Sequence, residues 1–170
     1  MTTRKKAFTC TEPVGEIELA DERRWIQPLF PGEARGEIVS GNLTLICASL
    51  GTSYEIETKG KILLIEEWNI EPWEIDHLIN HLYNAGKLQE TRGIVFGECV
   101  NCLPDSKTGF ENSLTLTDIL EHFMNLVKVP AIYGLPLGHT RDMATIPLGC
   151  QVYLNETTGE LFIEESGTIG

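Results

Sequence analysis

The 170-residue sequence predicts an α/β domain with a mostly parallel central sheet and a C-terminal β-hairpin, on three observations. Short apolar runs (Ile62–Ile65, Gly93–Gly97, Ala131–Tyr133) alternate with segments of helical periodicity, the pattern of strands joined by helical crossovers. The composition, 42% hydrophobic, is that of one compact domain with a real core. At the C-terminal end the helical pattern stops, and Cys150–Leu154 and Glu160–Ile163 flank a turn over Asn155–Gly159, as in a hairpin.

Taken in order, residues 1–35 mix charges with Pro13, Pro28 and Pro31 and sustain no period. They are expected to be an irregular lead-in whose Trp25 docks on the domain, which itself is expected over residues 36–170. Gly36–Ser40 reads as a short extended piece. Asn42 can cap a helix through Leu50, closed by Gly51. Lys61–Ile65 is a strand. Pro72 suits a first helical turn, Ile75, Leu78, Ile79 and Leu82 recur at helical spacing, and Gly86 offers a stop. Gly93–Gly97 is a buried strand, followed by a polar loop through Pro104, Asp105 and Gly109. Thr115 and Asp118 have capping-box spacing ahead of an apolar stripe formed by Leu116, Ile119, Leu120, Phe123, Met124 and Val127. Pro130 ends that helix, and Ala131–Tyr133 is the strand beyond it.

Charge and cysteines narrow the function. Thirteen basic residues against 25 acidic ones give a net charge of −12, which repels a phosphate backbone, and the one basic cluster, Arg4-Lys5-Lys6, is terminal. Nucleic acid and anionic membrane surfaces are therefore not expected as partners. No apolar stretch approaches the roughly 18–20 residues of a membrane span, and residues 1–20 lack the apolar centre of a signal peptide. A cytoplasmic chain is expected. The five cysteines (10, 47, 99, 102 and 150) are irregularly spaced and read as reduced thiols. Cys99-Val-Asn-Cys102 is a single CxxC with no second pair, so neither a metal nor a cofactor is expected.

Chemistry concentrates at two strand ends. His139 lies in a loop punctuated by Gly134, Pro136 and Gly138, and Glu66-Glu67 closes the Ile62–Ile65 run. In parallel α/β sheets the loops after the strands converge on one edge. A carboxylate that binds one imidazole nitrogen fixes the tautomer, leaving the other nitrogen as a general base. The same spacing fits a solvated acid and a satisfied loop histidine. Adjacent strand residues point to opposite faces, so one of Glu66 and Glu67 can share a site with His139, and periodicity does not choose which. His77 and His81 are four apart on a helix but lack a metalloprotease pattern, so they read as a solvated face, and His122 as structural or exposed. No serine lies in a strand–turn–helix elbow, and Cys99 and Cys102 have no flanking pattern of a nucleophile.

Ser40-Gly-Asn-Leu43, Ile62-Leu-Leu-Ile-Glu66-Glu67, Pro72-Trp-Glu-Ile-Asp76, Gly93-Ile-Val-Phe-Gly97 and Tyr133-Gly-Leu-Pro-Leu-Gly-His139 follow one another as in the C-terminal half of the LD-carboxypeptidases. These are also called muramoyltetrapeptide carboxypeptidases, and the microcin C7 self-immunity peptidases are relatives. The sequence resembles that family over roughly residues 25–165. The resemblance implies a swivelling β/β/α domain of a serine peptidase with a Ser-His-Glu triad. Glu66, the first of the acidic pair, would be the orienting acid and His139 the general base. The serine would belong to an N-terminal nucleophile domain that this sequence lacks. Three positions depart from the family pattern: Ser40 stands for the first Gly of Gly-Gly-Asn, Glu67 for an Asp and His77 for an Arg.

The resemblance further implies release of the terminal D-alanine from murein tetrapeptides in cell-wall recycling, with this chain inactive alone. Self-association as a homodimer is implied as well. The 98–114 loop and Trp68 are candidate pocket walls. The alternatives are a self-immunity peptidase acting on a peptidyl-nucleotide antibiotic, a non-catalytic domain that docks a partner, and a metal protein using His77, His81, Cys99 and Cys102.

Overall fold

The computed structural model of the protein describes residues 12–17, 26–104, 114–141 and 143–168. Trp25, Cys10, the basic triplet and the centre of the 98–114 loop, with Asp105 and Gly109, lie outside the described residues. The described residues form eight strands: β1 (Gly15–Glu16), β2 (Gln27–Phe30), β3 (Glu33–Asn42), β4 (Ile62–Glu66), β5 (Gly93–Gly97), β6 (Ala131–Leu135), β7 (Gln151–Asn155) and β8 (Glu160–Ile163). Three helices accompany them among the described residues: α1 (Leu43–Ser49), α2 (Pro72–Asn84) and α3 (Leu116–Val127). The strands form one sheet in the order β1-β8-β7-β3-β4-β5-β6-β2.

The four strands β3, β4, β5 and β6 run parallel, as the strand–helix alternation predicts. β7, β8 and β1 extend the sheet antiparallel on one side and β2 on the other. β3 joins the two parts: Glu33–Glu37 pairs with β7, and Ile38–Asn42 pairs with β4. β7 and β8 are the predicted hairpin.

Successive strand residues point to opposite faces, which divides the apolar residues into two cores. On one face Leu63, Ile65, Ile94, Phe96 and Ala131 pack against Ile75, Ile79, Leu82, Ile119, Leu120, Phe123 and Met124 of α2 and α3. On the other, Ile62, Leu64, Val95 and Ile132 meet Val152, Leu154, Leu161 and Ile163 of the hairpin. The layers are helices, parallel sheet and antiparallel sheet. β4 and β5 are buried on both faces, hence their continuous apolar runs.

Helix ends follow the sequence signals. Asn42 caps α1, accepting from the Leu45 N–H (3.2 Å). Pro72 opens α2. Thr115 and Asp118 close a capping box on α3, with Thr115 N–H donating to Asp118 (2.9 Å) and Asp118 N–H to Thr115 Oγ1 (3.2 Å). Such boxes contribute about 1 kcal/mol.

Two expectations change. The lead-in over residues 1–35 is not irregular throughout: it carries β1, β2 and the first residues of β3. β2 has no readable period because only Leu29 of its four residues is buried, and Pro28 is accommodated because the strand is an edge. α3 ends before Pro130, at Lys128, which adopts a left-handed conformation (φ 59°).

Candidate active site

Parity along β4 sets the site. Ile62 and Leu64 face the hairpin, so Glu66 falls on that face, while Leu63, Ile65 and Glu67 fall on the helical face. The loop after β6 turns towards the hairpin face as well, with Leu135 and Leu137 buried in its core. It thereby carries His139 to Glu66. His139 Nδ1 lies 2.9 Å from Glu66 Oε2.

The two partners differ in exposure. The Glu66 side chain is 12% exposed and the imidazole 50%, so the carboxylate is shielded while the ring is open to a reacting group. An ionised carboxylate only accepts, so a neutral ring in this geometry carries its proton on Nδ1 and leaves Nε2 with a free lone pair.

Gly138 makes the approach possible. Its φ is +88°, and a Cβ built there would stand 2.3 Å from Glu66 Oε2 and 2.8 Å from Glu66 Cβ. Any side chain would push the acid away. Trp68 stacks on the imidazole with centroids 5.3 Å apart and planes 15° from parallel. Beside Glu66 lies a concavity of about 260 Å³, lined among others by Ser40, Asn42, Leu137, Ile146 and Leu148.

Glu67 has another task. It is 3% exposed and accepts four hydrogen bonds: from Asn42 Nδ2 (2.8 Å), Thr44 N–H (2.9 Å), Thr44 Oγ1 (2.7 Å) and Trp68 N–H (2.8 Å). Burial alone would raise its pKa. The hydrogen bonds from Thr44, Trp68 and Asn42 outweigh that and hold it below the ordinary glutamate value. It anchors the start of α1 and, through its bond to Trp68, the ring that stacks on His139.

Of the other candidates, His77 and His81 lie exposed on α2, His77 edge-on to Trp73 (5.5 Å), and neither approaches a metal-ligating cluster. His122 is exposed on α3, edge-on to Phe123. Among the described residues no group of three or more His, Cys, Asp or Glu is placed to hold a metal ion. Ser40 lines the concavity, Ser49 is tied to Ile46 O (2.8 Å), and Ser106 and Ser113 lie outside the described residues. The close approach of Gly138 to Glu66 and the Trp68–His139 stack are the site features that residue patterns did not announce.

Residues 35–154 match the family model described as the LD-carboxypeptidase C-terminal domain. The chain belongs to that family. It is 36% identical over 149 residues to the probable murein peptide carboxypeptidase of Bacillus subtilis, covering 88% of this chain and 46% of that protein. It is 25% identical over 137 residues to the microcin C7 self-immunity protein MccF of Escherichia coli, covering 79% and 38%. Among solved structures it is similar in fold to muramoyltetrapeptide carboxypeptidase from Oxalobacter formigenes, with a TM-score of 0.79 at 23% identity over 98% of this chain and 54% of that one. MccF in complex with glutamyl sulfamoyl guanosine gives 0.72 at 19% identity, over 85% and 42%. The chain thus spans less than half the length of these two relatives. Within this LD-carboxypeptidase domain, the two residues that the motifs singled out, 73 positions apart, are hydrogen-bonded.

Proposed function

We propose that this chain supplies the acid and base of a serine LD-carboxypeptidase, with Glu66 orienting His139 and the nucleophilic serine coming from a segment outside residues 1–170. His139 Nε2 takes the proton of the serine hydroxyl as its oxygen attacks the carbonyl carbon of the scissile bond. The same nitrogen then gives that proton to the departing amine, and water repeats the cycle on the acyl-enzyme. Glu66 stays ionised, holding Nδ1–H and stabilising the imidazolium. The substrate in this reading is a murein tetrapeptide in the cytoplasm during cell-wall recycling, cut between diaminopimelate or lysine and the terminal D-alanine. Self-association as a homodimer belongs to the same reading.

The observation that carries the proposal is the 2.9 Å bond between a shielded carboxylate and a half-exposed imidazole. The relative named a murein peptide carboxypeptidase supports the substrate class. In this reading residues 1–170 alone should be inert, since losing the triad serine typically costs on the order of 10⁴–10⁶ in rate. The test joins residues 1–170 to an N-terminal half carrying a Gly-x-Ser-Asp-like elbow and assays an LD-tetrapeptide for D-alanine, in parallel with a peptidyl-nucleotide. D-alanine release that requires His139 is expected. Cleavage of the peptidyl-nucleotide alone, or tetrapeptide cleavage by residues 1–170 unaided, would overturn it.

A further inference from the structure

Cys99 and Cys102 stand apart from the Glu66–His139 pair, in surroundings suited to thiol chemistry. Both line a cavity of about 260 Å³ together with Pro72, Pro104, Leu116 and Tyr133. Cys99 Sγ–H donates to Gly97 O (3.9 Å) and Cys102 Sγ–H to Val100 O (3.6 Å), and Asn101 between them takes a left-handed conformation (φ 58°) that turns the chain back. Interaction with the Cys99 thiol, aided by the backbone amides of Ile70 and Asn69, brings the Cys102 thiol down to about 7 in spite of burial, whereas interaction with Cys102 and burial push the Cys99 thiol up. Cys47 differs: burial raises its thiol to about 11, and it donates to Leu78 O (3.3 Å).

The turn between the two cysteines is tied to the candidate active site. Val100 forms a parallel β-bridge with Trp68, and the Asn69 N–H donates to Val100 O (2.9 Å). Trp68 carries the indole that stacks on His139. A change in the Cys99–Cys102 turn is therefore passed through one bridge to the imidazole.

We propose that Cys99 and Cys102 form a reversible disulfide, written by a peroxide, that shifts the Trp68–His139 stack. Cys102 is 2% exposed, which favours a small oxidant entering the cavity over a bulky disulfide. Its thiolate attacks one peroxide oxygen, the O–O bond breaks, and Cys102 becomes a sulfenic acid while the hydroxide released takes a proton to leave as water. Cys99, losing its proton, attacks the Cys102 sulfur and displaces the second oxygen as water. Two thiols and one hydrogen peroxide give one disulfide and two waters. A dithiol reductant reverses it by exchange. The effect on proton transfer at His139 rests on the acid–base reading above; the disulfide and the ring shift do not.

The test uses the 170-residue chain with Cys10→Ser, leaving Cys47, Cys99, Cys102 and Cys150. The reduced chain is treated with stoichiometric hydrogen peroxide, alkylated under denaturing conditions and mapped by mass spectrometry, while the His139 ring resonances, assigned with His139→Gln, are followed by NMR. A Cys99–Cys102 cross-link that spares Cys47 and Cys150, with His139 resonances that move and return on adding dithiothreitol, is expected. Cys99→Ser and Cys102→Ser should each abolish the shift, so one folded variant is enough, and the wild-type map stands without either. Cysteines 99 and 102 that remain alkylatable, a cross-link that leaves His139 unmoved, or a shift that persists in either variant would overturn the proposal.

Discussion

Glu66 and Glu67 are joined by one peptide bond and carry the same carboxylate, yet the strand turns them to opposite faces of the sheet. Glu67 is buried and spends its oxygens on four donors, tying α1 to the end of β4. Glu66 has one partner among the described contacts, His139, whose ring is half open. A carboxylate surrounded by fixed donors stabilises structure. One that faces a single titratable ring beside a concavity is free to steer a proton. The difference comes from strand parity, not from residue type.

The comparison breaks first at the pair itself. In a protein that joins this chain to a nucleophile-bearing half, His139→Ala and Glu66→Gln should each lower kcat/KM by roughly 10³-fold or more. The urea midpoint of residues 1–170 should hardly move, because neither side chain fills a core. Next comes Gly138→Ala. The added methyl collides with Glu66 Cβ, and the left-handed backbone costs an alanine about 1–2 kcal/mol. A displaced acid should lower kcat by about 10²-fold, and NMR should report a perturbed His139 ring.

Glu67 sharpens the contrast from the other side. Glu67→Gln keeps one acceptor and turns an NH₂ towards the two Thr44 donors, so equilibrium urea unfolding should show a loss of about 3 kcal/mol. Its pH behaviour follows from its lowered pKa. The unfolded chain binds more protons at this position than the native one, so the Glu67 contribution is full above the ordinary value of 4.5 and is lost as pH falls through the lower native value. Urea midpoints of wild type and Glu67→Gln should therefore converge as pH drops below about 4.5. The smallest effect belongs to Thr44→Val, which removes one hydroxyl donor and should cost about 1 kcal/mol by the same assay.

Much of this was legible in the residues. The runs of β4 and β5, the Thr115–Asp118 box, the Asn42 cap and the hairpin are local signals, and the structure agrees with them. β2 was not legible, because an edge strand with one buried residue and a proline carries no period. At the site, the two strand ends that bear Glu66 and His139 could be named, but their meeting could not be derived from spacing. It depends on the face towards which the β6 loop turns, a property of Leu135 and Leu137 packing on the hairpin. The buried role of Glu67 was hidden for the same reason: its donors Asn42 and Thr44 are more than 20 residues away in sequence.

The central claim, that Glu66 and not Glu67 holds the imidazole ready as a base, is tested most directly by long-range ¹H–¹⁵N spectra of the histidine rings in residues 1–170, at a pH where His139 is neutral. The account predicts the proton on Nδ1 and a bare Nε2, a tautomer disturbed by Glu66→Gln and kept in Glu67→Gln. A proton found on Nε2, or a tautomer indifferent to Glu66→Gln, would contradict it.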